Sequence, residues 1–465
     1  MTDECATSPG ADLHLDLAPG DEGGLRAGLM EALREAVRTG RLARGARLPS
    51  SRSLATDLGI ARNTVVDAYS ELVAEGWLTA HQGSGTRVAN WTAPQPAAPP
   101  ARPRPNVPPP VHDLQPGRPD VSSFPRTQWS RSARRALMNA PDEALGYADP
   151  RGRIELRTSL AGYLARARGV RADPDRIVVC SGAIHGLMLL GAVLRARGWR
   201  AVAVESYGLG LHRNLFVEAG LRTPAIGLDE GGARVEELAD VGAVLLTPAH
   251  QFPTGVALHP RRRAAVLSWA RSTGGFVIED DYDGEFRYDR QPVGALQGMD
   301  PERVVYLGTT SKTLAPGLRL GWMVLPEELR PEVERAKGEF ELMCGFLDQL
   351  TLADLIDRGA YDQHIRTMRL AYRRRRDQLV EALAARADVR VTGLAAGLHA
   401  ILRLPEGGER AALHAAAWRR LELVGLDSFR HPDAARLADG LVVGYATPSR
   451  SAWSGALQAL RDVLP

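Results

Sequence analysis

The chain has 465 residues, 44% of them hydrophobic and 24% charged, with a formal net charge of +3. That is an ordinary globular composition, too long for one core, so two or three domains are expected; no apolar run is long enough to span a bilayer, which excludes a helical membrane protein. Cys5, Cys180 and Cys344 lie far apart without metal-ligand spacing, so no metal site is expected and a reducing cytoplasm is the expected compartment.

Residues 1–22 are acidic, with no basic region followed by an apolar stretch, and read as a disordered leader rather than a secretory signal. From 23 to 90 the pattern is helix, helix, helix, hairpin. Leu25, Leu29, Leu33 and Val37 recur every fourth residue and predict an amphipathic helix. Ser50 and Ser51 can cap a short second helix, SRSLATDLG, which Gly59 ends. A third helix is predicted from Ala61 to Glu75, with Val65, Tyr69, Leu72 and Val73 on one face. WLTA and TRVA then flank HQGSG, a glycine-rich hairpin signal.

Residues 91–112 contain the stretch Ala93–Pro110, half of it proline. Such a segment forms neither a helix interior nor a central strand, and predicts an extended polyproline linker. The remainder, 113–465, alternates short apolar runs with helical stretches. RIVVC, AVAVE, AVLLT, GFVIED and VVYLG read as strands buried on both faces, so an α/β domain with a mostly parallel sheet is predicted.

Two short helices, a tight turn and a β-wing make a winged helix-turn-helix, whose second helix enters the DNA major groove by its N-terminus. That would place Arg62, Asn63 and Thr64 against base edges. Ser51 and Arg52 would meet a phosphate at the start of the preceding helix, and Gly83, Ser84, Gly85 and Thr86 would form the wing tip. Between Gly24 and Asn90 nine arginines stand against six acids. That excess is modest, and a purely structural helical domain fits the composition equally well.

The larger segment carries the groups that pyridoxal phosphate demands: an amine for a Schiff base, a carboxylate for the pyridine nitrogen, a donor for the ring hydroxyl, and amides with a cation for the phosphate. Of 58 basic residues only Lys312 and Lys337 are lysines, so the amine has two side-chain candidates. Lys312 lies in GTTSKTLAPGLRLGW, directly after VVYLG, with Arg319 seven residues on. Lys337 sits in the charged stretch EVERAKGEF and reads as a solvated surface residue. Asp280 and Tyr282 lie at the C-terminal end of GFVIED, where open α/β sheets bind ligands, although paired aspartates after a strand also serve as a helix cap. Ser181, Gly182 and Ala183 follow RIVVC and would open a helix whose free amides suit a phosphate.

The run LPSSRSLATDLGIARNTVVDAYSELVAEGWLTAHQGSGTRVA resembles the winged helix of GntR-family regulators. The runs GYADPRGRIELRTSLAGYLARARGV, SGA, LLTPAHQFPTGVALHPRRR, VIEDDYDGEFRYD and YLGTTSKTLAPGLRLGW resemble fold-type I aminotransferases. HQFPTG and EDDYDGEF resemble specifically those fused to GntR domains, the MocR/GabR subfamily. The resemblance implies Schiff-base formation at Lys312, pyridine pairing by Asp280, ring-hydroxyl contact by Tyr282, and phosphate contacts from Ser181, Gly182, Ala183 and Arg319. It also implies a homodimer in which Tyr147 reaches the neighbouring subunit's phosphate.

Three positions depart from the aminotransferase pattern. Phe252 stands where asparagine is usual. Leu209 takes the place of the ring-stacking aromatic in an ungapped reading, with Tyr207 nearby as a cofactor contact. Val442 stands where an arginine grips a substrate carboxylate, with Arg430 and Arg450 as nearby substitutes for an effector. The expected protein is a cytoplasmic, homodimeric, pyridoxal-phosphate-dependent regulator with little transaminase turnover. It would bind a double-stranded DNA operator and sense a small amine or amino acid. The alternatives are an active aminotransferase with an accessory DNA-binding domain, and a regulator whose large domain is only a dimerisation scaffold.

Overall fold

The chain separates into two units at Pro108/Pro109. The computed structural model describes residues 24–81, 85–90, 110–147, 149–288, 293–339 and 344–464. The leader, the linker before Pro110, and the wing-tip residues Gly83 and Ser84 lie outside the described residues.

In the first unit α1 (Gly24–Arg38), α2 (Ser51–Leu58) and α3 (Arg62–Ala74) precede the antiparallel pair β1 (Leu78–His81) and β2 (Gly85–Val88). Leu29, Met30, Leu33 and Ala36 of α1 share one core with Leu54, Val65, Tyr69, Leu72, Leu78 and Val88. Leu25 departs from the periodicity and is 53% exposed, because it stands a turn ahead of the first core residue, Leu29. The Ser50 hydroxyl accepts the Ser53 amide at 3.1 Å and caps α2, a contact worth about 1 kcal/mol. Gly59 ends that helix at φ 66°, a left-handed conformation that favours glycine. The Tyr69 hydroxyl donates to the Pro49 carbonyl at 3.1 Å, tying α3 to the turn before α2.

The second unit runs β3 (His112–Asp113), α4 (Arg126–Asn139), α5 (Ile154–Arg168), β4 (Ile177–Cys180), α6 (Ala183–Ala196), β5 (Val202–Glu205), α7 (Gly210–Glu218), β6 (Ala225–Ile226), β7 (Leu228–Asp229), β8 (Gly232–Ala233), β9 (Ala243–Leu246), α8 (Pro260–Thr273), β10 (Phe276–Asp280), β11 (Val304–Thr309) and β12 (Gly321–Val324). It continues through α9 (Arg330–Glu339), α10 (Phe346–Asp357), α11 (Ala360–Leu383), β13 (Arg390–Thr392), β14 (Ala400–Arg403), α12 (Gly408–Trp418), β15 (Leu421–Glu422), β16 (Val424–Gly425), β17 (Gly440–Val443) and α13 (Trp453–Val463).

Seven strands form the central sheet in the order β4-β12-β11-β10-β9-β5-β6. All run parallel except β12, which is antiparallel to β11 and β4. Val178 and Cys180 of β4 pack with Leu187 and Leu190 of α6, while Ile177 and Val179 pack with Leu160 of α5 and Leu352 of α10. Burial on both faces is why the five predicted strands read as continuous apolar runs. A second, antiparallel sheet, β13-β14-β17-β16, packs with α11, α12 and α13 around Leu379, Leu402, Leu441 and Leu460. Within that layer β3 pairs in parallel with β15, His112 against Leu421. His112, which composition assigns to the linker, is therefore a strand residue; a two-residue strand is too short to show in a hydrophobic pattern.

Candidate functional sites

The arginines of the first unit divide by position. Arg26, Arg34 and Arg38 pair with Glu71, Glu75, Glu31 and Glu35. Arg44, Arg47, Arg52 and Arg62 are exposed and have no ion pair among the described residues. Arg62 opens α3, and its N-cap, Ala61, provides no side-chain acceptor for the amides of the first turn. Arg62 and Asn63 are exposed and Thr64 is half-buried; Ser51 and Arg52 open α2, and Gly85 and Thr86 open β2. Gly85 has φ 85°, and a Cβ there would stand 3.2 Å from the Arg47 guanidinium, so glycine lets that cation approach the wing. Both helix starts thus present uncompensated positive charge, the electrostatic requirement for gripping phosphates.

In the second unit a cavity of about 630 Å³ opens at the C-terminal ends of β5, β9, β10 and β11. Lys312, Asp280, Tyr282, Arg319 and Ala183 all line it. Asp280 is the last residue of β10, and burial pushes its carboxyl up to about 7 against the opposing pull of Lys312. His212 Nδ1 lies 3.5 Å from Asp280 Oδ2; burial pushes this imidazole down to about 4, so it is neutral at pH 7. Lys312 follows β11, and its ammonium donates to the Gly117 carbonyl at 2.6 Å. Burial lowers its pKa below the usual lysine value. Thr309 and Ser311 bracket the loop, the Thr309 hydroxyl donating to Ser311 Oγ at 2.9 Å.

Arg319 stands in the left-handed region at φ 51° and donates from Nη2 to the Ser181 carbonyl at 2.6 Å. Gly182, at φ 88°, lies so close that a Cβ there would meet the Arg319 guanidinium at 3.2 Å. From Gly182 the chain enters α6 with no side chain capping its first turn. An amine, a buried carboxylate, a phenol, and a cation beside an uncapped helix start are the donor set of pyridoxal phosphate. The residues present fit that cofactor.

Residues 114–422 match the family Aminotransferase class I and II, and residues 25–88 match the bacterial regulatory proteins of the gntR family. The chain is 31% identical to the HTH-type pyridoxine biosynthesis transcriptional regulator PdxR of Corynebacterium glutamicum, over 98% of this chain and 99% of that protein. It is 30% identical to the probable rhizopine catabolism regulatory protein MocR of Rhizobium meliloti, over 93% and 92%. The chain belongs to the MocR/GabR subfamily of GntR-type regulators. Its large domain has the fold-type I aminotransferase architecture. A kynurenine aminotransferase of Pyrococcus horikoshii, solved in complex with PMP, is 27% identical with a TM-score of 0.67, covering 76% of this chain and 90% of that one.

In this MocR-type regulator several expected contacts are corrected. Tyr207 is 1% exposed and packs on Ile401, Leu426 and Val442, with its hydroxyl accepting the Leu437 amide at 2.7 Å. A backbone bridge to Arg430 turns it away from the cavity, and Leu209, two residues on, lines the cavity instead. Arg430 is held by Asp427 at 2.7 Å and by the Ala434 carbonyl, and Arg450 is exposed beyond β17; neither lines the cavity. The other arginines that do are Arg118 and Arg213. Ser181 and Gly182 adjoin the cavity through Arg319 and Ala183. Tyr147 is 90% exposed and does not line this subunit's cavity. Lys337 is not a surface residue. It is 1% exposed and donates to the Pro150 carbonyl, because it stands one turn after Val333 on the buried face of α9.

Proposed function

We propose that this chain is a DNA-binding transcriptional regulator whose aminotransferase-like domain holds pyridoxal phosphate at Lys312 and reads a small amine or amino acid there. The observation that carries the reading is the convergence of Lys312, Asp280, Tyr282 and Arg319 on one cavity. When bound, pyridoxal phosphate supplies a carbonyl carbon that links covalently to an amine. Lys312 supplies that amine, and its depressed pKa makes the neutral nitrogen accessible at lower pH than in an exposed lysine. Asp280 offers its carboxylate to the ring nitrogen, beside a neutral His212. Arg319 and the start of α6 hold the phosphate. Val442 is fully buried and Phe252 presents a phenyl ring. Neither supplies the polar contacts that orient a substrate for proton transfer, so binding is favoured over turnover.

An effector amine that took the place of Lys312 on the cofactor would free the lysine ammonium to donate to the Gly117 carbonyl, the contact it makes here at 2.6 Å. Gln115, Pro116, Gly117 and Arg118 wall the cavity and directly follow β3, the first paired segment after the linker. That connection gives the effector a way to bias the DNA-binding domain, provided it binds the two states unequally. The reading assigns DNA binding to residues 23–90 and effector binding to 113–465, in a homodimer acting on DNA in the cytoplasm. Among the described residues no helix is long and apolar enough to cross a membrane.

The test is spectroscopic. Pyridoxal phosphate added to the purified chain should give a visible absorbance band that Lys312→Ala lacks and that candidate amines shift. A borohydride-reducible adduct persisting in Lys312→Ala overturns the assignment. Sustained release of keto acid at ordinary rates, about 1–10³ per second, would make the chain an aminotransferase instead.

A further inference from the structure

Beneath Tyr282 lies a buried pair that the cofactor reading leaves unused. The side chains of His250 and Asp283 are each 2% exposed, and His250 Nδ1 stands 2.9 Å from Asp283 Oδ2. The same Nδ1 stands 3.1 Å from the Tyr282 hydroxyl, with the two rings stacked at 6.2 Å. His399 lies 5.2 Å from the His250 ring and uses Nε2 on the Pro253 carbonyl at 3.1 Å. Burial pushes His399 down to about 4, so it adds no charge to the cluster. Phe252 sets its ring edge against Tyr282 at 5.9 Å and against His399 at 5.1 Å. It occupies the position where aminotransferases carry an asparagine, and a phenyl ring donates no hydrogen bond.

A buried carboxylate beside an imidazole nitrogen keeps a proton on that nitrogen. Asp283 is also within hydrogen-bonding reach of the Tyr282 hydroxyl; with Nδ1–H engaging Asp283 and directed at the tyrosine oxygen, that oxygen accepts, and its own hydrogen is left to point into the cavity. Without the imidazole, the hydroxyl would turn to donate to Asp283. We propose that Asp283 and His250 act as a positioning pair that aims the Tyr282 proton at the cofactor's ring oxygen, in place of the donor missing at Phe252. This rests on the cofactor reading above. Among the described residues the charged or titratable groups around the pair and Tyr282 are Asp280, Glu205, His399, Lys312, Tyr288 and Tyr445.

A hydrogen bond onto the ring oxygen weakens that oxygen's hold on the proton it shares with the lysine-linked nitrogen. The experiment is a pH titration of the visible band of the full chain loaded with pyridoxal phosphate. Tyr282→Phe should raise the midpoint by roughly one unit, the size of one hydrogen bond. His250→Ala should raise it similarly, and the double variant should go no further than Tyr282→Phe alone. His250→Asn, whose amide nitrogen can take the place of Nδ1, should move the midpoint back toward the parent. Asp283→Asn keeps the shape and should shift it in the same direction as His250→Ala, which covers a His250→Ala chain that does not fold. An unmoved midpoint in His250→Ala or Asp283→Asn, an additive double variant, or no recovery with asparagine overturns the proposal while leaving the cofactor reading intact. A parent chain with no visible band overturns both.

Discussion

Glu205, at the end of β5, accepts from the Thr247 hydroxyl at 2.7 Å and from Gln251 at 3.2 Å. Burial nevertheless pushes its carboxyl up to about 7 from the ordinary 4.5. Between those values the folded chain holds a proton that the unfolded chain has released, so stability falls as pH rises. The contribution is full below the ordinary value and is lost as pH climbs toward the folded one. Glu205→Gln keeps the shape and removes the titration. Relative to that variant, the cofactor-free parent should lose stability from the acidic to the neutral end of this window. Urea midpoints at both ends check it, and an unchanged difference would mean the carboxyl stays charged in the fold. Residues of this kind were poorly legible in the sequence. Lys312, Asp280, Tyr282 and Arg319 stood out because motifs at strand ends announce them. His212 carries no motif and is placed only by the path of α7. Lys337 was hidden by its charged neighbours, and Tyr207 by the bend at Gly208, after which Leu209 caps α7 and lines the cavity.

The recognition elements of the first unit were legible because their caps are spelled out: Ser50 before α2, Gly59 after it, Arg62 at the start of α3. Arg62→Ala should cost roughly 1–3 kcal/mol at its cognate base pair and relax specificity there. Arg52→Ala, at the start of α2, should weaken binding evenly across sequences. Footprints matching the parent for both variants would remove α3 as the reading helix. In the large domain the five predicted strands are runs buried on both faces, as β12 also is. The antiparallel β12 was missed, and the cause is Gly321. A Cβ there would lie 2.9 Å from Gly182 Cα and 3.0 Å from the Gly308 carbonyl, so close packing demands the glycine that makes the run look like a loop. The strands of the second sheet have two to four residues each, below the length at which alternation becomes visible.

At the scale of the whole molecule, the stretch around Tyr147 is hard to reconcile with a solitary subunit. Tyr147 is 90% exposed, Met138 75%, Leu145 64% and Leu137 50%, an apolar concentration that usually marks an interface. Sedimentation of the cofactor-loaded chain at micromolar concentration should give a dimer; a monomer under those conditions would contradict the shared-site reading. The distribution of cations has a further consequence. One of the two lysines is buried against Pro150, and the other lines the cofactor cavity. Every cation on the exposed face of the winged helix is therefore a guanidinium, which stays charged far above neutral pH. Lysine acetylation, which cancels positive charge elsewhere, finds no target on that face. The grip on phosphate is insulated from acyl-donor chemistry, and the side-chain amine open to small molecules is Lys312, the one the proposed effector would address.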